Sequence, residues 1–200
     1  THLLPEMIVV GIPNTDRIRD LTPTRVRNSP YIDSATAAKT GGGPAFLNFL
    51  EKELMPYVDS AYPTAPYRTF IGHSLGGLMV IDALMHRREL FNAYISIDPS
   101  LWYDNQALLK ASIALLNAQD FSRETLYLGI ANTLGPGLDT ARVRKDTAES
   151  SLHIRSILDL AAALRKSARH KMRWTYAYYR DDDHGSEPLI SGYDGVRFVF

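Results

Sequence analysis

Residues 67–84 read YRTFIGHSLGGLMVIDAL, and the fold prediction rests on this segment. A β-prone run at 68–71 leads directly into GHSLG at 72–76, and an apolar helical pattern follows. A serine between a strand and a helix sits on a very sharp turn with a strained backbone, and glycines two residues before and after it remove side chains that would collide. We therefore predict that the turn lifts the Ser74 hydroxyl above the end of a strand.

This order of strand, G-x-S-x-G and helix is typical of the nucleophile elbow of α/β-hydrolases. The same turn directs the backbone N–H of Leu75 toward the serine hydroxyl, where it can stabilise an oxyanion. The motif predicts Ser74 as a nucleophile and Leu75 as an oxyanion donor. The alternative is a glycine-rich strand-to-helix turn with no chemistry.

Composition excludes several classes of function. The 200 residues contain 22 Lys plus Arg and 22 Asp plus Glu, so no global field favours nucleic acid or an anionic membrane. No apolar run reaches membrane-spanning length, and we expect no membrane insertion. Cysteine is absent, which excludes a thiol nucleophile, a disulfide and a thiolate metal site. That absence is compatible with an oxidising compartment, such as the bacterial periplasm or the outside of the cell, without assigning the protein to one.

Strand and helix patterns alternate along the whole chain. Strands are predicted at 7–12, 68–71, 93–97, 126–131 and 174–179, and helical patterns at 44–58, after the elbow, at 105–117, at 148–168 and at the end of the chain. This alternation predicts one domain over residues 1–200, a three-layer α/β-hydrolase fold with a mostly parallel sheet. Such sheets place several strands before the elbow strand, so we expect the N-terminal strands to be absent from this chain. Residues 21–43 are predicted to form a long irregular loop.

His184 is the predicted general base. In α/β-hydrolases the chain order is serine, acid, histidine, each on a loop at one sheet edge. His184 follows the last predicted strand and precedes Gly185, which permits a tight turn. His73 lies in the elbow and is predicted to point away from the pocket, and His153 is predicted to cap or pack a helix. The alternative for His184 is a solvated loop histidine beside an acidic run.

The acid is less well defined by the sequence. It should follow the strand at 126–131, and Asp139 is the carboxylate nearest that strand's end, so we predict Asp139. Asp146 and Glu149 lie further along, although Asp146 also resembles a helix cap. Asp98, at the end of the preceding strand, is a rival. A Ser–His dyad without an acid also remains open.

Two residues are predicted to contact substrate. Arg17 lies in a polar loop after the strand at 7–12, and Trp102 follows the strand at 93–97, both at the carboxyl edge where α/β sheets bind ligands. The alternatives are that Arg17 is solvated or paired with Asp16 and Asp20, and that Trp102 fills the core.

The segments GHSLGGL, SIDPSLWYDN, DDDHGSEP and YDGVRFVF together resemble the putative-esterase (esterase D-like) family of α/β-hydrolases, nearest its Fes- and IroE-type siderophore esterases. The resemblance implies Ser74 as nucleophile, His184 as base and Leu75 as one oxyanion donor, with the second donor before Thr1. We predict a serine esterase acting on a small-molecule ester without metal or cofactor. An acyltransferase on the same machinery and a binding protein with a decayed site are the alternatives.

Overall fold

Four parallel strands form one sheet in the computed structural model, which describes residues 4–27 and 32–200. They lie side by side in chain order as β1 (Thr69–His73), β2 (Ala93–Ile97), β3 (Thr125–Ala131) and β4 (Arg173–Tyr179). Thr69 pairs with Ala93, Ala93 with Thr125, and Thr125 with Arg173, so all four strands run in step. Their carboxyl ends therefore meet at one edge, as the sequence predicts for a parallel α/β sheet.

Helices cover both faces of this sheet. They are α1 (Arg17–Asp20), α2 (Ser34–Lys39), α3 (Gly43–Phe49), α4 (Met55–Ala61), α5 (Leu75–His86), α6 (Tyr103–Ala118), α7 (Leu152–Lys166) and α8 (Glu187–Val199). Short 3₁₀ turns lie at Arg88–Leu90, Val143–Lys145 and Glu149–Ser151.

The core has two parts because successive strand residues point to opposite faces. Tyr94 and Leu126 join the larger cluster, which includes the apolar faces of α5, α6 and α7. Ile95 and Tyr127 face the other way and pack with Val199 of α8. The result is the predicted three-layer order of helices, sheet and helices.

The predicted helix at 44–58 is present but interrupted. A π-helical segment, Leu50–Leu54, separates α3 from α4. Pro56 follows this segment, and its missing N–H removes a donor that a continuous α-helix would use.

The predicted buried strand at 7–12 is wrong for the described structure. Residues 7–12 have no strand geometry, and the side chain of Val9 is 88% exposed. β1 is the edge strand and pairs only with β2, so 7–12 is not joined to it. No other described residue before β1 forms a strand, and the backbone groups of 7–12 therefore have no ladder partner.

The predicted loop at 21–43 is partly helical, because α2 lies within it. Residues 28–31 of that stretch lie outside the described ranges. None of the helices in those ranges combines the length and apolarity needed to cross a bilayer.

Candidate active site

Ser74 occupies a strained turn between β1 and α5. Its φ of 60° and ψ of −117° lie outside the regions that non-glycine residues normally adopt. The turn is held because the Ser74 N–H donates to the Ile97 carbonyl at 3.0 Å. Leu75 is the first residue of α5, so its N–H belongs to the helix N-terminal groups that lack an intrahelical acceptor. An anion beside Ser74 would meet this N–H and the positive end of the helix dipole.

The steric need for glycine differs between the two elbow glycines. A Cβ built on Gly72 would overlap the backbone of Gly76, whereas a Cβ on Gly76 would meet nothing within 4 Å. Gly77 is also crowded, since its Cβ would lie 2.9 Å from the Ile97 carbonyl oxygen. The predicted steric reason for glycine is therefore correct at position 72 and wrong at position 76.

We expect Gly72→Ala to destabilise the protein and Gly76→Ala to leave its stability unchanged or slightly higher. The first variant forces two backbone segments apart, while the second places alanine, a better helix former, in α5. Urea unfolding of both variants measures the difference. Equal stability of the two would contradict the steric assignment.

His184 is hydrogen bonded to Asp98 at the carboxyl edge of the sheet. The His184 Nδ1 atom lies 2.5 Å from Asp98 Oδ2. Asp183 shapes the turn that carries His184, because its Oδ1 accepts the N–H groups of Gly185 at 2.8 Å and Ser186 at 3.0 Å. Gly185 thus lies in a tight turn, as the sequence predicts.

Asp98 is fully buried and follows β2 directly. Its Oδ1 accepts the Ala131 N–H at the end of β3, at 3.1 Å. Its φ of 39° is in the left-handed region, which is unusual for a non-glycine residue. Asp98 was the rival candidate for the acid, and it is the carboxylate that contacts His184.

Asp139 does not contact His184, so the predicted position of the acid requires correction. Its side chain is 60% exposed and lies 3.6 Å from Arg142. Its Oδ1 accepts the N–H groups of Ala141 at 2.9 Å and Arg142 at 2.7 Å. The physical reason is that Asp139 caps a turn of its own loop.

The other two candidates in that region are also away from His184. Asp146 accepts the Ala148 N–H at 3.2 Å, and Glu149 begins a 3₁₀ turn as an exposed residue. Both carboxylates belong to the segment that leads into α7 rather than to the end of a strand.

His153 also contacts Asp98, a contact that the sequence interpretation missed. The His153 Nε2 atom lies 2.8 Å from Asp98 Oδ2, the same oxygen that His184 contacts. Burial alone would raise the pKa of Asp98, but hydrogen bonds from His153 and His184 outweigh burial and hold that pKa far below its usual value. Asp98 is therefore ionised. In turn, its hydrogen bond raises the pKa of His184 above the ordinary histidine value.

His73 packs against His184, contrary to the prediction that it points away from the pocket. The two ring centroids are 4.4 Å apart. Burial lowers the pKa of His73, and the neighbouring His184 lowers it further, so the ring is neutral at neutral pH. Its Nε2 is buried and has no hydrogen-bond partner among the described residues.

The two predicted substrate residues lie at the same edge as Asp98 and His184. Arg17 is exposed at the start of α1, and its charge opposes protonation of both His73 and His184. Trp102 is half-buried and directly precedes α6.

The Ser74 hydroxyl contacts a second serine. Its Oγ lies 3.3 Å from Ser100 Oγ, and the Ser100 N–H donates to the Ser74 carbonyl at 3.1 Å. Among the hydrogen bonds of the described residues, none joins Ser74 Oγ to His184. Ser100 is buried and lies two residues after Asp98, where its sequence position alone carried no signal.

Asp98, His153 and His184 each offer a ligand atom, and these atoms lie within 4.8 Å of one another, a spacing that could admit a metal ion. However, both imidazoles already use these nitrogens to hydrogen bond one carboxylate oxygen. An ion at this point would displace the proton on His184 Nδ1 that orients the ring. We therefore interpret the cluster as a hydrogen-bonded arrangement of two histidines around one carboxylate oxygen.

Glu187 is a second buried carboxyl group near His184. It is 0% exposed in the first turn of α8, and neither of its oxygens has a hydrogen-bond partner among the described residues. Gly129 of β3 makes room for it, because a Cβ there would overlap Glu187 Oε1 and Ser191 Oγ. Burial, with the nearby charge of Asp98, raises the pKa of Glu187 to about 7.

We expect Glu187→Gln to remove part of the pH dependence of stability. Between pH 4.5 and about 7 the folded wild type keeps a proton that the unfolded chain has released. The contribution of Glu187 to the free energy of unfolding is therefore fully present below pH 4.5. It is lost as pH rises through 7, by at most on the order of 3 kcal/mol. The variant should be more stable than wild type above pH 7 and not near pH 4.5. Urea unfolding across this range, with exposed Glu53→Gln as control, measures the difference, and parallel pH profiles would contradict the expectation.

The parallel sheet, the strained serine turn and the histidine loop define the class of the protein as an α/β-hydrolase fold. A family profile described as Putative esterase matches residues 1–185, and the chain belongs to that family. This confirms the family resemblance drawn from the sequence motifs.

Relatives and a solved structure agree with this assignment. The siderophore triacetylfusarinine C esterase of Aspergillus fumigatus is 29% identical over 97% of this chain and 70% of its own length. Ferri-bacillibactin esterase BesA of Bacillus subtilis is 33% identical over 55% of this chain and 41% of its own. The crystal structure of an IroE-like serine hydrolase from Shewanella oneidensis matches with a TM-score of 0.87 and 36% identity. That match covers 99% of this chain, which spans 61% of the length of the Shewanella chain.

Proposed function

We propose that this protein is a serine hydrolase that cleaves a carboxylic ester through an acyl-enzyme on Ser74, with His184 as general base and Asp98 as the acid. The observation that carries the proposal is the bond from His184 Nδ1 to buried Asp98, beside the elbow that holds Ser74. An ionised carboxylate only accepts hydrogen bonds, so His184 Nδ1 carries the proton. The Nε2 atom is then left unprotonated and able to accept the serine proton.

The proposed reaction has two halves. Ser74 Oγ attacks the ester carbonyl while His184 Nε2 takes its proton, and the Leu75 N–H stabilises the tetrahedral oxyanion. The intermediate collapses as His184 returns the proton to the leaving alcohol. A water molecule, activated by the same imidazole, then hydrolyses the acyl-enzyme. Asp98 keeps the ring oriented and stabilises the imidazolium in both halves.

The contact between Ser74 and Ser100 is compatible with this mechanism. A serine hydroxyl can rotate about one side-chain bond, and catalytic hydrogen bonds often tighten only when substrate is bound. In the proposed cycle Ser74 leaves Ser100 for His184 when the ester occupies the site. Ser100 would then keep the resting hydroxyl hydrogen bonded.

The substrate class we propose is a siderophore-type ester. This class is supported by the relatives from Aspergillus fumigatus and Bacillus subtilis, which are a triacetylfusarinine C esterase and a ferri-bacillibactin esterase. Arg17 is a candidate partner for an anionic or polar group of the ester near the reacting carbonyl. Its positive charge lies close enough to lower the pKa of His73 and of His184, and its guanidinium makes no ion pair among the described residues. Trp102 would supply an aromatic wall.

Labelling with a fluorophosphonate tests the proposal without knowledge of the natural ester. We expect the protein to gain one phosphonyl group, located on Ser74 by peptide mass spectrometry, and to hydrolyse p-nitrophenyl acetate. Heat-unfolded protein is the control, because labelling needs the folded elbow. A folded protein that neither labels nor hydrolyses would instead be a binding protein with the hydrolase fold.

A further inference from the structure

We propose that His153 is a positioning residue for the catalytic acid: it anchors the Asp98 carboxylate so that the carboxylate stays ionised and aligned with His184. This inference rests on the proposed serine-hydrolase function and extends the Ser74–His184–Asp98 set by a fourth group. His153 would act through Asp98 and would touch neither the ester nor the reacting atoms.

The carboxylate of Asp98 receives three donors from three separate elements. His184, after β4, and His153, in α7, both bond Oδ2, at 2.5 Å and 2.8 Å, and the Ala131 N–H bonds Oδ1 at 3.1 Å. Asp98 is 0% exposed, so water cannot replace a missing donor without a rearrangement. The charge of Asp98 therefore depends on these three contacts.

The two imidazoles reach Asp98 from separate elements, and the planes of their rings are inclined at 89°, with centroids 5.2 Å apart. Because both nitrogens contact Oδ2, this oxygen is held from α7 as well as from the loop after β4. Without His153, Oδ2 would be held by the histidine loop alone.

His153 is held by a rigid element, as a positioning residue should be. It lies in the first turn of α7, and the neighbouring Ile154 and Ile157 are fully buried against the sheet. Its own side chain is 20% exposed, against 42% for His184. His153 is therefore more enclosed than His184, the base that it helps to align.

Loss of the His153 donor has a defined electrostatic consequence. The charged or titratable groups beside His184 come from its own loop and from five other elements: Asp183, Arg17 from α1, His73 from β1, Asp98 from β2, His153 from α7 and Glu187 from α8. Without the His153 hydrogen bond, the charge of Asp98 is less compensated and stabilises the His184 imidazolium more strongly. This effect raises the pH at which His184 becomes a free base.

The test compares three substitutions of one residue. His153→Leu removes the donor, His153→Asn keeps a polar amide that is too short, and His153→Gln can place its amide N–H near the position of Nε2. We expect the Leu and Asn variants to lose roughly tenfold to a hundredfold in kcat on p-nitrophenyl acetate, with KM little changed. The acid limb of their pH–rate profiles should move to higher pH, and the Gln variant should stay within a few-fold of wild type.

The control is His86→Leu, which removes a histidine–aspartate contact of similar length, 2.9 Å from His86 Nδ1 to Asp82, at the far end of α5. This variant should keep the wild-type kcat and pH profile. A second readout is the low-field NMR resonance of the His184 Nδ1 proton, which should move in the Leu and Asn variants and not in the His86 variant.

The outcomes distinguish failure of the His153 role from failure of the proposed function. Wild-type protein that fails to label with the fluorophosphonate would remove the proposed function. Labelling and turnover at wild-type rates in folded His153→Leu or His153→Asn, with an unmoved acid limb, would overturn only the role of His153. If the Leu variant does not fold, the Asn and Gln variants decide, and equal losses in both would overturn the role of the donor.

Discussion

Replacing Ser74 with alanine is expected to lower ester hydrolysis by roughly 10³- to 10⁶-fold and to abolish fluorophosphonate labelling. The variant removes the only atom that can form the acyl-enzyme in the proposed mechanism, while Leu75 and the helix N-terminus remain. Any residual activity would come from substrate binding and oxyanion stabilisation. Steady-state kinetics on p-nitrophenyl acetate and intact-protein mass after labelling measure the two effects.

Ser60→Ala is a matched control for this experiment. Ser60 is an exposed serine in α4 whose hydroxyl donates to the Tyr57 carbonyl, away from the elbow. Ser60→Ala should label and turn over as wild type does. If Ser74→Ala kept full activity, the proposed nucleophile would be wrong, and peptide mapping of the labelled protein would locate the reactive serine.

Asp98→Asn is expected to lower kcat by about 10³- to 10⁴-fold while Asp139→Asn stays near wild type. The amide at position 98 removes the negative charge that stabilises the His184 imidazolium, and it can favour the wrong tautomer of the ring. Asp139 is exposed and bonded to its own loop, so the same change there should affect only local stability. The comparison is made at one pH on folded variants, with circular dichroism as the check.

The opposite result would identify a different catalytic set. A fully active Asp98→Asn would mean that Ser74 and His184 act as a dyad, which the sequence left open. A large loss in Asp139→Asn alone would restore the first prediction and imply that the loop after β3 moves toward His184 when substrate binds.

Several features of the fold were predictable because they depend on neighbouring residues. The elbow combines a strand, a glycine-flanked serine and a helix within 67–84, and the structure has β1, the turn and α5 in that order. The strands at 93–97, 126–131 and 174–179 were predictable from apolar and β-prone runs. The run at 7–12 has the same composition, but it needs a neighbouring strand to complete its hydrogen bonds, and none lies there among the described residues.

The surroundings of His184 were less predictable because they depend on distant residues. Asp98 and His184 are 86 positions apart, and Asp98 and His153 are 55 positions apart. His153 looks like any polar residue at the start of a helix, and His73 looks like an elbow residue that points inward. Only the way α7 packs on the sheet brings His153 to the end of β2.

The family, the parallel α/β architecture and the two candidate groups, Ser74 and His184, follow from the sequence, because local patterns and chain order specify them. Which carboxylate meets His184, and which second imidazole contacts that carboxylate, depends on how the chain packs. The physical reason is that a buried charge needs several donors at once, and only the packed sheet edge brings β2, β3, α7 and the loop after β4 together around Asp98.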